Sequence, residues 1–152
     1  MKAELKNKMW LFVMIGIVLA FILYNLFWLC WRNIRYNGYT KNLKTFRKHY
    51  SYVLTADDGY LFNVKLPDYL SFTGNLCVAT PDDKIALIIW PNVFKDYHYG
   101  VQVEKDGEVY SIEVNEKLES KKTEYNDLID ENKNTIQLLR EKAADMWEAS
   151  ER

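Results

Sequence analysis

The sequence predicts an α+β fold with a single amino-terminal transmembrane helix, a small, mostly antiparallel sheet of about five or six strands, and a long carboxy-terminal amphipathic helix. Three observations predict it: a charge-free apolar run, short apolar segments separated by turn residues, and a segment with a helical apolar period. A chain of 152 residues has room for one domain beside such a helix. The content of Gly, Pro, Cys and aromatic residues excludes collagen-like, disordered and disulfide-framework proteins.

Charge is divided unevenly along the chain. Residues 1–48 contain nine basic side chains and one acidic side chain, whereas residues 49–152 contain eleven basic and twenty acidic ones. The formal net charge of −1 therefore conceals a basic amino-terminal part and an acidic remainder. We expect the basic part to adjoin a lipid surface and the acidic part to form a water-exposed domain.

The first predicted element is a transmembrane helix over residues 9–31, preceded by a short basic tail at residues 1–8. At a rise of 1.5 Å per residue, the run forms a helix of about 33 to 35 Å, enough to cross a hydrocarbon core of about 30 Å. It is longer than the apolar core of a cleavable signal peptide, and bulky residues occupy its end, where cleavage requires small ones. The sequence therefore predicts an uncleaved, single-pass signal anchor in the cell membrane.

A basic and aromatic juxtamembrane segment follows at residues 32–49. Its cations favour anionic headgroups, and indole rings at both ends of the apolar run favour the headgroup boundary. The predicted membrane-interface residues are Trp10, Trp28, Trp31, Arg32, Arg35, Lys41, Lys44, Arg47 and Lys48. The same composition suits nucleic acid, but the adjoining span makes lipid the nearest polyanion, so no nucleic-acid partner is predicted.

The orientation of the span is predicted from the basic residues that flank it. The amino-terminal flank contains three lysines, and the other flank, up to Lys48, contains six Lys or Arg with no acid. Because the more basic side usually faces the cytoplasm, we expect the domain to be cytoplasmic. The alternative is a signal anchor whose short tail stays inside and whose domain is extracytoplasmic.

Residues 50–152 are predicted to form the α+β domain, with its β-rich part at residues 50–115. A two-residue turn at Asp106-Gly107 pairs Lys105 with Glu108 and places six side chains on one face of a hairpin: Val103 opposite Tyr110, Val101 opposite Ile112, and Tyr99 opposite Val114. A second hairpin about Asp58-Gly59 is predicted to pair Val53 with Val64 and Thr55 with Phe62. Residues 76–80 and 84–90 add two more strands, the latter apolar enough to be central.

The predicted carboxy-terminal helix covers residues 116–149. Its apolar residues recur at helical spacing and form one stripe: Tyr125, Ile129, Ile136, Leu139, Ala143 and Trp147. Packing against the chain's own sheet is one interpretation, because the sheet needs cover; contact with a partner is the other. Possible partner contacts are Asn25, in the span, together with Tyr125, Ile129, Ile136, Leu139 and Trp147.

Motifs for catalysis are scarce, so no enzyme, cofactor or metal site is predicted. The two histidines, His49 and His98, are far apart in sequence, and no Cys-x-x-Cys pair, glycine-rich phosphate loop or nucleophile motif occurs. Cys77 lies within a predicted strand, where an isolated cysteine usually packs as a small apolar residue. The paired aspartates at residues 57–58 and 82–83 stand where turns favour Asp.

Two functions compete on these observations. The first is a single-span, membrane-anchored, non-enzymatic interaction or assembly module that binds another membrane protein or a second copy of itself. The second is a membrane-tethered ligand-binding or sensory domain, in which Trp90, Phe94, Tyr97 and Tyr99 line an aromatic pocket.

Overall fold

One long helix leads into a seven-stranded antiparallel sheet whose strands follow one another in sequence order. The structure, a computed structural model, describes residues 2–47, 50–92 and 97–147, with side chains described from Met9 onward except for Arg47. The elements are α1 (Lys2–Thr40), β1 (Lys44–Arg47), β2 (Ser51–Thr55), β3 (Leu61–Lys65), β4 (Asn75–Ala79), β5 (Ile85–Pro91), β6 (Tyr97–Lys105), β7 (Glu108–Val114), a 3₁₀ turn (Thr123–Tyr125), α2 (Asn126–Glu131) and α3 (Lys133–Trp147).

The α+β class is confirmed, but the sheet has seven strands rather than five or six. The additional strand is β1, which lies within the predicted juxtamembrane segment at residues 32–49. It pairs with β2 at the edge of the sheet, and its register shifts between Thr45 and Arg47. A short, irregular edge strand of this kind has no alternating apolar pattern, which is why the sequence did not reveal it.

The β6–β7 hairpin has the predicted register. Lys105 pairs with Glu108 across the Asp106-Gly107 turn, and both turn residues have positive φ angles, 56° and 80°. Those angles match a two-residue turn whose twist fits a hairpin. The six predicted side chains are buried or half-buried on one side of the sheet.

The β2–β3 hairpin is shifted by one residue from its predicted register. Thr55 pairs with Leu61, and Leu54 pairs with Phe62. The cause is the turn, in which the Ala56 N–H donates to the Tyr60 carbonyl oxygen (2.9 Å) and Gly59 has a φ of 86°. This three-residue loop moves every β2 side chain to the other face relative to the prediction.

Helix α3 and the last turns of α1 cover one side of the sheet. The covered side contributes Phe62, Val64, Leu76, Val78, Leu87, Ile89, Val101, Val103, Ile112 and Val114, all of them buried. Against them pack Tyr36 and Tyr39 of α1 and the buried stripe of α3. The opposite side of the sheet, called here the open side, carries mostly polar or half-buried residues.

The carboxy-terminal helix is shorter than predicted and is divided in two. Residues 116–122 form a loop, in which the Asn115 side-chain oxygen accepts the N–H groups of Lys117 (2.9 Å) and Glu119 (3.0 Å). Asn132, whose φ and ψ are −107° and 8°, separates α2 from α3. Asparagine side chains compete with the helix for backbone hydrogen bonds. The later start of the helix and its division at Asn132 both arise from such local bonding, which the spacing of apolar residues does not reveal.

The two ends of the sheet differ in what they carry. Antiparallel connections alternate between ends, so the connections from β1 to β2 and from β3 to β4 share one end, the near end, and the β2–β3, β4–β5 and β6–β7 turns share the far end. Helix α1 passes the near end first and reaches the far end at Lys41 and Asn42, which line a cleft of about 330 Å³ with Ala56 and Asp58.

Candidate membrane interface

The amino-terminal part of α1 is an apolar helix that has no cover from the rest of the protein. Within the described residues, one helix is long and apolar enough to cross a membrane, and its most apolar 18-residue window has a mean hydropathy of 2.4. None of the side chains in that window is buried. Phe12, for example, is 72% exposed and Leu19 is 54% exposed. A core helix of a water-soluble protein would bury these side chains, although length and composition alone also fit a signal sequence.

A loop of the domain packs against α1 where this exposed part ends. The β3–β4 loop, residues 66–74, brings Tyr69 and Phe72 to the helix. Tyr69 contacts Trp28 edge-on at a ring-centroid distance of 5.4 Å, and Phe72 contacts Trp31 at 5.2 Å. Phe72 also lies 6.4 Å from the ring of Tyr24. The loop therefore follows α1 from residue 31 back to residue 24, inside the predicted span.

Hydrogen bonds hold the loop and the helix together at several heights. The Trp28 indole N–H donates to the Ser71 carbonyl oxygen (2.7 Å), and the Gly74 N–H donates to the Tyr36 hydroxyl (2.6 Å). Gly74 also closes the loop tightly, because a Cβ built on it would lie 2.2 Å from the Lys65 carbonyl oxygen. Any larger residue at this position would push the loop away from β3.

Asn25 has its polar groups occupied inside the chain. Its side-chain N–H donates to the Phe21 carbonyl oxygen (2.7 Å), and its side-chain oxygen accepts the Tyr69 hydroxyl (2.5 Å). Both polar groups of Asn25 therefore have partners within the chain, and its contact with a partner helix stays a prediction.

The predicted membrane-interface residues lie at different places. Trp10 is 60% exposed, whereas Trp28 is 4% exposed beneath the β3–β4 loop. Trp31, Arg32 and Arg35 are half-buried next to that loop or further along α1. The Arg32 guanidinium lies 5.0 Å from the centroid of Trp28, where it is attracted by the ring face.

Two of the predicted membrane-interface residues, Lys41 and Lys44, lie beyond the end of α1. Because α1 continues to Thr40, Lys41 lies about 15 Å along the helix axis from Trp31 and next to the far end of the sheet. Lys44 begins β1, and that strand then runs back toward the near end, where Arg47 pairs with Ser51. The side chain of Arg47 and the whole of Lys48 lie outside the described part of the chain. Lys41 is therefore separated from the end of the predicted span, and its contact with lipid stays a prediction.

The predicted partner contacts on the carboxy-terminal helix are covered by the chain's own sheet. The exposed fractions are 4% for Ile129, 1% for Ile136, 0% for Leu139 and 3% for Trp147. Tyr125 is half-buried against the same core. The apolar stripe therefore packs on the sheet, as the first interpretation predicted, and partner contact through these side chains stays an untested prediction.

The residues weighed above as catalytic or metal-binding candidates do not form a cluster in the described part of the chain. Burial raises the pKa of the Cys77 thiol to about 11, so that it is protonated and unreactive at neutral pH. His98 is exposed on the open side of the sheet. Among the residues that the structure describes, no group of three or more His, Cys, Asp or Glu is placed to hold a metal ion.

The residues of the predicted aromatic pocket lie on opposite sides of the sheet. Tyr97 and Tyr99 face the covered side, where they border a cavity of about 40 Å³. That volume is well below the 300 Å³ or more that an ordinary ligand needs. Trp90 pairs with His98 and lies over Gly100 on the open side, and Phe94 falls outside the described residues.

The β3–β4 loop is the part of this interface that sequence reasoning missed. Pro67-Asp68 and Gly74-Asn75 are turn signals in the sequence, but nothing in the local pattern connects the apolar residues between them, Tyr69, Leu70 and Phe72, with the span. Three large apolar side chains within one polar turn region are the signal that would have identified it.

Comparisons with known proteins add no assignment. No family model matches the sequence, and no curated protein or solved structure matches it either. Function must therefore be argued from the geometry of the chain itself.

Proposed function

We propose that this protein is a single-span, membrane-anchored, non-enzymatic interaction or assembly module. The observation that carries the proposal is the continuity of α1, which runs without a break from its uncovered apolar part into the core of the domain. Tyr36 and Tyr39, near the end of the same helix, are 1% and 3% exposed against the sheet. A helix of this kind supports a rigid mount rather than a flexible tether.

A rigid mount suits a module that presents one surface to its neighbours in the membrane. The apolar stripe of α3 packs on the sheet, so we expect a partner to contact the open side of the sheet instead. We expect the partner to be another membrane protein or a second copy of this chain, and the domain to lie on the cytoplasmic side, as the flanking charges favour.

Membrane anchoring is tested by placing two charges on the uncovered part of α1. Arginine at a helix centre costs about 3 kcal/mol of insertion free energy per residue, so Ile15→Arg/Leu19→Arg should release the chain from membranes on alkaline extraction. Asn134→Arg/Leu138→Arg, with the same spacing on the exposed face of α3, should leave it in the membrane fraction. A wild-type chain that is itself extracted by alkali would refute the anchor.

Sidedness is tested with a thiol at an exposed site, since the raised pKa of the half-buried Cys77 thiol makes it a poor target for thiol reagents. Val109 is 64% exposed on β7, so Val109→Cys can be introduced into a Cys30→Ser/Cys77→Ala chain. Labelling by a membrane-impermeant reagent only after cells are opened supports a cytoplasmic domain. Labelling in intact cells would favour the extracytoplasmic alternative.

Interaction is tested by photocrosslinking in native membranes. A photoreactive residue at Ser111, exposed on the open side of the sheet, should form a discrete adduct with a partner or a second copy. The same residue at Gln137, exposed on the outer face of α3, serves as the control. Equal yields from both positions, or an adduct from neither, would count against the module.

A second candidate, a membrane-tethered ligand-binding or sensory domain, is favoured by a cleft on the open side. The cleft has a volume of about 370 Å³ and is lined by residues that include Val53, Asn63, Cys77 and Ile88. This volume falls within the range of small-molecule sites. A compound that raises the melting temperature of the wild type, but not of Asn63→Trp, would favour this candidate over the first.

A further inference from the structure

The β3–β4 loop exposes apolar side chains next to the uncovered part of α1. Tyr69 is 56% exposed and Leu70 is 44% exposed, although both belong to a loop that packs against the helix. Leu70 also has a φ of 63°, in the left-handed region that non-glycine residues rarely adopt. The loop therefore keeps a leucine side chain exposed in a backbone conformation that costs free energy.

The length of α1 sets how deep this loop lies. If the loop remained outside the bilayer, the helix above its highest contact, at Tyr24, would offer residues 9–23 to the hydrocarbon core. Those residues span only about 22 Å, against a core of about 30 Å. With the loop at the level of the headgroups and upper acyl chains, residues 9–27 span about 28 Å and match the core.

The charges at the two ends of the sheet agree with this placement. The far end carries seven acidic residues in its turns and adjacent strand ends: Asp57, Asp58, Asp82, Asp83, Glu104, Asp106 and Glu108. They outnumber the lysines at the same end, which are Lys41, Lys84, Lys105 and Lys142. The near end and the adjoining part of α1 carry Arg32, Arg35 and Lys65 against Asp68. The end of β7 and the loop after it add equal numbers of each sign at this end: Lys117, Lys121 and Lys122 against Glu113, Glu116 and Glu119. An anionic leaflet attracts the near end and repels the far end, so it orients the sheet with the β3–β4 loop toward the lipid.

From these observations we propose that the β3–β4 loop inserts Tyr69 and Leu70 into the headgroup region of the bilayer beside α1 and forms a second membrane contact of the domain. The inference rests on the proposed anchor and adds to it the lipid interface as a binding partner of this loop. Together with the hydrogen bonds to Trp28 and Tyr36, the contact holds the sheet at one height above the bilayer.

The test uses the full chain in vesicles of phosphatidylcholine and phosphatidylglycerol, with a fluorescent label at one cysteine on the Cys30→Ser/Cys77→Ala background. Leu70→Cys reports on the loop, and Thr73→Cys, exposed in the same loop, is a second position that avoids the strained backbone. The control is Val109→Cys, because Val109 is also an exposed apolar residue but lies at the far end. Near-ultraviolet circular dichroism checks that each variant is folded.

We expect a lipid with a nitroxide high on its acyl chain to quench the two loop labels by about twofold, and aqueous iodide to quench mainly the label at residue 109. If the chain floats with the vesicles after an alkaline wash but iodide quenches all three labels equally, the loop contact is wrong and the anchor stands. If the chain does not float with the vesicles, both proposals fail.

Discussion

The apolar part of α1 and the apolar stripe of α3 show two different uses of hydrophobic surface. In α3 the apolar residues follow the helical period and are confined to one side, where Ile136, Leu139 and Ala143 are at most 3% exposed. In α1 between residues 9 and 27 the apolar residues surround the helix, and Leu11, Phe12 and Leu23 are each at least 60% exposed.

The difference indicates which medium each helix is built for. One sheet can cover only one face of a helix, so a stripe with a 3.6-residue period is satisfied by the protein itself. A helix that is apolar on all sides needs an apolar surrounding, which a lipid bilayer supplies without any period. We therefore expect the same kind of substitution to change the free energy of unfolding differently in the two helices.

The largest expected effect comes from truncating a leucine in each helix. Leu139→Ala removes a side chain that is 0% exposed and should reduce the free energy of unfolding by about 2–5 kcal/mol. Leu19→Ala, at a position that is 54% exposed, should change it by less than about 0.5 kcal/mol. Chemical unfolding of the chain in mild detergent measures both. A comparable loss for Leu19→Ala would mean that α1 is packed against protein after all.

A smaller loss of stability is expected at Tyr36, where α1 passes from its uncovered part into the core of the domain. Tyr36→Phe removes the hydroxyl that accepts the buried Gly74 N–H and should cost about 1–3 kcal/mol, because the N–H is left without that acceptor. Hydrogen exchange at Gly74 should also become faster. Tyr24→Phe, at a ring that is 40% exposed, is the matched control. Unchanged exchange at Gly74 would show that this bond does not hold the loop to α1.

The smallest effect is expected at the far end, where the Lys142 ammonium of α3 binds Asp58 (2.5 Å). Hydrogen bonding from Lys142 holds the pKa of the Asp58 carboxyl below its usual range. Because the folded pKa lies below the unfolded value, the pair stabilises the fold at neutral pH, and its contribution disappears as the pH falls below about 3.9 and through the folded pKa.

Melting temperatures of the wild type and Asp58→Asn should therefore differ slightly at neutral pH and converge in acid. Asp57→Asn, with the same change in net charge in the same turn, is the control. A difference between wild type and Asp58→Asn that stays constant down to pH 3 would show that the pair is not what links α3 to this turn.

Several elements could be predicted because their determinants are local. The Asp106-Gly107 turn sets the register of β6 and β7 by itself, since both residues readily adopt positive φ angles. The apolar period placed the buried residues of α3 for the same reason. The β2–β3 register was wrong because Asp58-Gly59 suits more than one loop length, and only the hydrogen bond between Ala56 and Tyr60 selects the three-residue loop.

The interface was predicted less completely, because it depends on contacts between segments distant in sequence. Trp28 is of a residue type that favours the lipid headgroup boundary, but the β3–β4 loop covers it. The contact at Ser71 lies 43 residues further along the chain. Lys41 is a cation of the kind that binds anionic lipid, but it lies at the far end of the sheet because α1 continues as far as Thr40. The separation of these residues along the chain does not predict which of them lie close together in the fold.

By itself, the sequence determined the α+β class, the uncovered apolar helix, the β6–β7 pairing and the stripe of α3, because period, charge and turn residues act over a few neighbouring positions. Only the tertiary structure decided how far α1 continues into the domain, which residues the sheet covers and which loop lies against the helix. Those features depend on packing between Tyr36 and Gly74 or between Trp28 and Tyr69, pairs that only the folded chain brings together.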